Sequence, residues 1–167
     1  TDHGAMNQEQ WPQYLRPLAV DNERWIYGGI GQATAQIAGL DLATGETRQY
    51  IPDGQRERGQ GNVWRGTDGN AYANAPGWSW HMLSGGEATP VEGPPVDRVT
   101  ADKMAFPDGS RLVSNMRVDV PNRVLHILEP DAEEPREVAF GYDSPGLGIY
   151  SMVTGPEGKI YGATGLP

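Results

Sequence analysis

"MVTGPEGKIY", residues 152–161, is a ten-residue segment in which an apolar residue, a tight turn and an aromatic strand follow one another. Three earlier segments have the same form: "LAVDNERWIY" (18–27), "VWRGTDGNAY" (63–72) and "MAFPDGSRLV" (104–113). In each, an apolar residue precedes an apolar or aromatic residue by nine positions, so that Met104 is aligned with Val113 in the third. Three of the four carry Asp-Gly or Glu-Gly between these positions. Because glycine adopts positive φ without steric cost, each segment predicts a β-hairpin.

The spacing of the four segments predicts the fold class. Successive segments begin 45, 41 and 48 residues apart. Each of the first three hairpins is followed by a third, apolar strand, a polar turn and a more polar fourth strand, as in "AQIAGLDL" (35–42), "ATGE" (43–46) and "TRQYI" (47–51). No long window sustains the apolar period of a helix. A four-stranded unit that repeats every 40–50 residues or so predicts an all-β protein, a β-propeller of four-stranded antiparallel blades.

About three and a half blades fit in the chain. Residues 1–10 are interpreted as a cloning scar or disordered tail, and 11–167 as a partial propeller. The predicted blades cover about residues 16–52, 61–93 and 102–141, with a half blade at about 148–167. A closed propeller has about four to eight blades, so three completions are open. The sequence is part of a longer propeller, two chains together form one ring of about seven blades, or the N-terminal segment pairs with the last blade. The first two are favoured.

The turn motifs are similar to those of a known class of proteins. "D-x-x-T-G-E" runs from Asp41 to Glu46, and "P-[DE]-G-[KS]" begins at Pro107 and at Pro156. In these motifs the chain resembles bacterial β-propeller repeat proteins, the broad class with NHL-like, kelch-like and quinoprotein-like blades. The resemblance implies the propeller fold. It does not specify a function, because propellers host both binding and catalysis.

Composition excludes several classes of partner and cofactor. With a net charge of −9, the chain is not expected to bind nucleic acid or an anionic membrane. It has no cysteine, so disulfides and thiolate chemistry are absent, but the compartment stays open. The G-x-G at Gly29 and Gly31 lacks the third glycine of a nucleotide-binding loop. No histidine pair has metal-ligand spacing. We therefore predict neither a cofactor nor a metal.

Candidate binding residues come from the long loops that meet on one face of a propeller. Arginines there could bind carboxylate or sulfate groups, and tryptophans could stack on sugars. The ligand-binding candidates are Arg56, Arg58, Trp78, Arg98, Asn115 and Arg117. For Arg56 and Arg58 the favoured interpretation is nevertheless a solvated loop charge, and for Trp78 and Trp80 it is packing between blades. His126 is interpreted as a packing residue as well.

Two functions from different classes remain as hypotheses. The favoured one is a non-catalytic recognition or assembly module that binds a ligand or partner on its loop face and completes its ring by dimerisation. The alternative is part of a lyase or hydrolase that acts on acidic glycans, by analogy with propeller-type polysaccharide lyases. In that case His81, Tyr142 and Tyr150 are the candidate acid/base residues, and an arginine neutralises the uronate carboxylate. A partly buried structural role is favoured for His81.

Overall fold

The protein is all-β, as the sequence predicts. A computed structural model describes residues 4–6, 13–99, 105–115, 118–141, 149–155 and 158–164. These residues form antiparallel strands and one short 3₁₀ turn, Asp53–Gln55. Within them there is no helix long and apolar enough to span a membrane. The chain divides into an N-terminal unit, Thr1–Arg98, and a C-terminal unit, Val99–Pro167.

The N-terminal unit contains two four-stranded meanders with the same strand order. The first sheet has the order β1-β2-β3-β4, and a short strand β5 continues it beside the end of β2. The second sheet has the order β6-β7-β8-β9. The first sheet consists of β1 (Tyr14–Val20), β2 (Trp25–Gln32), β3 (Gln36–Asp41), β4 (Thr47–Gln49) and β5 (Gly59–Gln60). The second consists of β6 (Asn62–Arg65), β7 (Ala71–Ala75), β8 (Trp78–Ser84) and β9 (Glu87–Pro90).

One apolar core joins these two sheets. Its buried side chains come from both sheets, and Tyr27, Ile37, Val63 and Leu83 are almost fully enclosed. Alternation along each strand places every second residue on this shared face, as with Trp25 and Tyr27 in β2 and with Ala71 and Ala73 in β7. Burial of such side chains stabilises the unit by about 1.5–3 kcal/mol each before the entropy of folding is subtracted.

The C-terminal unit has smaller sheets among its described residues. Three strands pair in the order β10-β11-β12, and two more form a separate hairpin. Phe106, Leu112 and Ile127 lie in their common core. The five strands are β10 (Arg111–Leu112), β11 (Val124–Leu128), β12 (Arg136–Ala139), β13 (Ile149–Thr154) and β14 (Ile160–Thr164).

An equivalent five-residue turn lies within each of the four repeated hairpins. In each, the N–H of the first residue donates to the C=O of the fifth, over 2.8–3.1 Å. The turns begin at Asp21, Gly66, Phe106 and Gly155. In the last three, the fourth residue is a glycine with a φ of 70–87°, a conformation that strains other residues. These glycines therefore close the hairpins, as the sequence pattern predicts.

The third copy is shifted by one residue from the sequence alignment. Its turn runs from Phe106 to Ser110, so the residue equivalent to Tyr27 and Tyr72 is Leu112 and not Val113. Leu112 is buried, whereas Val113 is 40% exposed. The alignment of Met104 with Val113 was wrong because Leu112 and Val113 are adjacent and both apolar. The turn hydrogen bond identifies Leu112 as the equivalent residue.

Glycines in the first sheet allow a close backbone approach. A Cβ at Gly29 would overlap the carbonyl oxygen of Gly61, and one at Gly31 would overlap that of Gly59. Gly31 also pairs with Gln60 of β5. The G-x-G sequence thus accommodates a neighbouring segment within the sheet, which is a common reason for glycine inside a strand.

Candidate functional site

A fully buried carboxylate organises the first hairpin turn. Asp21 is completely shielded from solvent. Its Oδ1 accepts hydrogen bonds from the backbone N–H groups of Glu23, Arg24 and Trp25, each over 3.0 Å. This turn has no glycine at its fourth position, and the carboxylate takes over the closing role.

The second oxygen of Asp21 connects the two sheets of the N-terminal unit. Oδ2 accepts from the Tyr27 hydroxyl and from the N–H of Gly85, both at 2.8 Å. The Tyr27 oxygen in turn accepts from the N–H of Gly86 at 3.0 Å. Gly85 and Gly86 lie in the β8–β9 turn, so a turn of the second sheet is bound by polar groups of the first. Buried polar groups are retained at low cost only when they are satisfied in this way.

The same turn is held from its other side. Tyr50 donates its hydroxyl to the Gly86 carbonyl at 2.9 Å, and Arg48 donates to this oxygen at 2.8 Å. The Arg48 guanidinium also lies 4.8 Å from the ring centroid of Trp25. We call the five residues of the first sheet that hold this turn the turn receptor: Asp21, Trp25, Tyr27, Arg48 and Tyr50.

The shifted pKa values of the turn receptor indicate a structural role for its residues. Burial raises the pKa of Tyr27 far above the ordinary tyrosine value, and it raises that of Tyr50 as well. Hydrogen bonds to Glu46 and Glu87 raise the pKa of Arg48. Neither phenol can ionise near neutral pH, so both act as fixed hydrogen-bonding groups rather than as bases.

Three turn aspartates have lowered pKa values. For Asp41, burial alone would raise the pKa, but hydrogen bonds from the Ala43 N–H and Arg24 outweigh it. For Asp68, burial is similarly outweighed by the Tyr72 hydroxyl, whose own pKa is raised by burial to about 12. For Asp108, hydrogen bonds from the side chain and the backbone N–H of Ser110 lower the pKa.

Loops of the N-terminal unit meet at one end of its sheets. The β2–β3 turn receives the loop after β4: the Ala35 N–H donates to the Glu57 carbonyl, and Arg56 donates to the Thr34 hydroxyl at 2.8 Å and to the Ala35 carbonyl at 3.2 Å. The β7–β8 turn lies against this loop as well, since a Cβ at Gly77 would lie 2.8 Å from Glu57 Oε1. We call this set of loops, residues 32–35, 53–59 and 76–77, the loop face.

Arg56 differs from the expected solvated loop charge. Its side chain is only 12% exposed, and Asp53 lies 3.6 Å from its guanidinium. The residue joins two loops of the loop face. Arg58, two positions later, is exposed, and so are Arg98 and Asn115. Asn115 belongs to the C-terminal unit, and its backbone carbonyl accepts from the N–H of Asp119.

Trp78 and His81 stack on each other. Their ring centroids are 3.8 Å apart and their planes differ by 2°. Trp78 is buried in the core between the first two sheets. His81 Nδ1 lies 2.9 Å from the Ser79 carbonyl oxygen, which can only accept, so Nδ1 carries the hydrogen in this bond. Trp80 contributes to an aromatic group on the opposite face, with its ring 6.0 Å from that of Trp64.

The side chains of three further candidate residues are not described by the structure. Tyr142 and Arg117 lie outside the described residues. Tyr150 lies in β13, and only its backbone is described. Among the described side chains, the ring of His81 contacts Trp78 and Ser79, and no arginine or tyrosine hydrogen bonds to it.

A histidine between two carboxylates is the feature that sequence reasoning missed. His126 Nδ1 lies 3.1 Å from Asp119 Oδ2 without a well-formed hydrogen bond between them, and Nε2 lies 3.4 Å from Glu137 Oε1. Asp119 is oriented by the N–H of Asn115, 2.5 Å from Oδ2. His126 and Glu137 are direct cross-strand partners in β11 and β12. Only the strand register could have brought them together, because they are eleven positions apart. Hence His126 is more than the packing residue that was expected.

These features define what the described residues can do chemically. Within them, no group of three or more His, Asp or Glu side chains could hold a metal ion by itself. Comparisons with protein-family models, with curated proteins and with solved structures return no match for this chain.

Proposed function

We propose that the chain is a non-catalytic recognition module built from β-propeller-type blades. Two successive sheets repeat one four-stranded meander, and the turns of all four hairpins are equivalent. A tight polar contact between neighbouring sheets, like that of the turn receptor with the β8–β9 turn, suits a fold in which blades pack face to face. Loops collected at one end of rigid sheets are a frequent location for binding residues.

One observation carries the non-catalytic part of the proposal. Of the candidate acid/base residues, His81 is the one whose side chain is described: its ring stacks on Trp78, and no described arginine or tyrosine hydrogen bonds to it. We therefore expect no unsaturated uronate to form when the protein is incubated with pooled acidic glycans. A steady increase in the absorbance of the unsaturated product would overturn this part of the proposal.

The ligand class follows from the exposed arginine on the loop face. Arg58 is accessible, and a guanidinium binds carboxylate or sulfate groups through paired hydrogen bonds. We propose acidic oligosaccharides as the ligand. Calorimetric titration with oligogalacturonate and with a sulfated oligosaccharide should detect binding, whereas a neutral dextran should not bind.

A pair of variants locates the binding surface. Arg58→Ala should weaken binding by ten- to a hundredfold, since a hydrogen bond to a charged group contributes about 1.5–3 kcal/mol. Arg111→Ala removes an exposed arginine from the C-terminal unit and serves as the matched control. Equal losses in the two variants would indicate nonspecific charge attraction and would refute the assignment to the loop face.

Self-association is the assembly part of the proposal. No sheet among the described residues closes on itself, and two chains of about three and a half blades would make one ring within the usual range of about four to eight. Light scattering on a sizing column across a dilution series should give twice the mass of one chain. A monomer at every concentration would contradict assembly but would leave the glycan-binding proposal intact.

A further inference from the structure

The two carboxylates beside His126 lie at different ring nitrogens. Glu137 lies where a second ligand of a metal ion would lie, and Asp119 lies behind the ring. The Nε2···Oε1 distance to Glu137 is 3.4 Å, beyond the usual range of a hydrogen bond. Two ligand atoms on a tetrahedral ion, each bonded at about 2.0–2.2 Å, are separated by about 3.4 Å. The cross-strand pair is thus spaced to share a metal ion.

Asp119 occupies the position of the outer-sphere carboxylate. It lies 3.1 Å from Nδ1, a buried atom that makes no well-formed hydrogen bond among the described residues. Metal-binding histidines commonly direct their second nitrogen to a carboxylate, which fixes the ring and the tautomer. With the hydrogen on Nδ1, the lone pair of Nε2 is directed to the side of Glu137.

Access and charge also suit a cation. The Glu137 side chain is 73% exposed, so its carboxylate can adjust and solvent can reach the pair. The carboxylates of Asp119 and Glu137 carry two negative charges, which a divalent ion neutralises. Nitrogen and oxygen donors together favour zinc, nickel or copper over magnesium or calcium.

We propose that His126 Nε2 and the Glu137 carboxylate bind a divalent transition-metal ion, with Asp119 behind the histidine and water as the remaining ligands. Since no third protein ligand is present among the described residues, the site is an open one. This inference is independent of the proposed glycan binding, which concerns the N-terminal unit.

Zinc alone is the probe for the test. Calorimetric titration of the intact protein should show saturable binding of one Zn²⁺ per chain, and Mg²⁺ should not compete. Co²⁺ should give the visible absorption of a low-symmetry site containing nitrogen. His126→Gln should abolish this binding, Glu137→Gln should weaken it at least tenfold, and Asp119→Asn should weaken it by about ten- to a hundredfold.

Controls separate a metal site from an ion pair. His81→Gln removes the other histidine of the described strands and should leave Zn²⁺ affinity unchanged. The Glu137 side chain is exposed, so the circular dichroism of Glu137→Gln should match that of the parent protein. Its Zn²⁺ affinity can therefore be interpreted even if His126→Gln does not fold. No Zn²⁺ binding by the parent, or binding that Glu137→Gln leaves unchanged, would overturn the proposal and identify an ion pair only.

Discussion

Replacing Asp21 by asparagine tests whether the buried carboxylate holds the first two sheets together. Asparagine has the same shape, but one oxygen becomes an NH₂ donor. If the remaining oxygen keeps the three turn amides, the NH₂ group faces the Tyr27 hydroxyl and the Gly85 N–H. The hydroxyl can rotate and accept, but the backbone N–H cannot. In the opposite orientation, the NH₂ group faces the three turn N–H groups, so three backbone donors lose their acceptor instead of one.

The magnitude follows from the better orientation. One buried backbone donor loses its acceptor, which costs about 1–3 kcal/mol, and the retained bonds lose the strength that a charged acceptor gives them. We expect Asp21→Asn to lower the free energy of unfolding of the N-terminal unit by about 2–4 kcal/mol. Asp21→Ala should cost about 3–5 kcal/mol, because breaking a buried charged network leaves all its donors without partners.

Tryptophan fluorescence during urea unfolding measures this effect selectively. All five tryptophans lie before residue 99, in the N-terminal unit. Asp53→Asn is the matched control, since that side chain is 98% exposed and should change stability by less than about 0.5 kcal/mol. If Asp21→Asn also stays within 0.5 kcal/mol or so, the carboxylate does not join the sheets and the interpretation of the turn receptor is wrong.

Two further predictions concern the turns and acid stability. Gly86→Ala should destabilise the N-terminal unit by about 2–4 kcal/mol, because a Cβ there combines strain at a φ of 82° with overlap of a tryptophan ring. Gly45→Ala, at a φ of 76° but with open space around it, should cost only about 1–2 kcal/mol in the same assay, and equal costs would refute the packing argument. Three aspartates with lowered pKa values stabilise the fold above the ordinary value of 3.8, and this contribution is lost as the pH falls through their lower folded values. Urea midpoints should therefore be flat from neutral pH to about pH 5 and fall below about pH 4; a decline that begins at pH 6 would contradict it. The three residues are Asp41, Asp68 and Asp108.

The all-β class and the hairpins were predictable from the sequence because their determinants are local. A glycine with positive φ, an acidic residue before it and apolar residues on both sides specify the turn wherever they occur. The third copy shows the limit of this reasoning. Adjacent apolar residues at 112 and 113 leave the register ambiguous by one position, and only the Phe106–Ser110 hydrogen bond resolves it.

The candidate sites depended on contacts between distant segments and were harder to predict. Arg56 looked like a solvated charge because its neighbours in sequence are polar, yet its partners at Thr34 and Ala35 lie more than 20 positions away. The pairing of His126 with Glu137 required the register of β11 and β12. Spacing predicts that consecutive strands of a meander pair, but it does not give their residue-level register or the contacts between loops.

Asp21 also shows how one departure from a repeat can specify the arrangement of sheets. The equivalent residues Gly66 and Gly155 lie against tyrosine rings, where a Cβ would come within 2.8 and 2.5 Å of Tyr72 and Tyr161. Those positions offer no side-chain acceptor, so they cannot bind the N–H groups of a glycine turn. In the second turn Asp68 also accepts from a tyrosine hydroxyl, that of Tyr72. Among the described turns, only in the first does the opening residue supply the carboxylate, and that carboxylate binds the Gly85–Gly86 turn. The regular positions of the repeat form each hairpin, and the irregular one selects which turn packs against it, a form of specificity that a strictly periodic sequence could not provide.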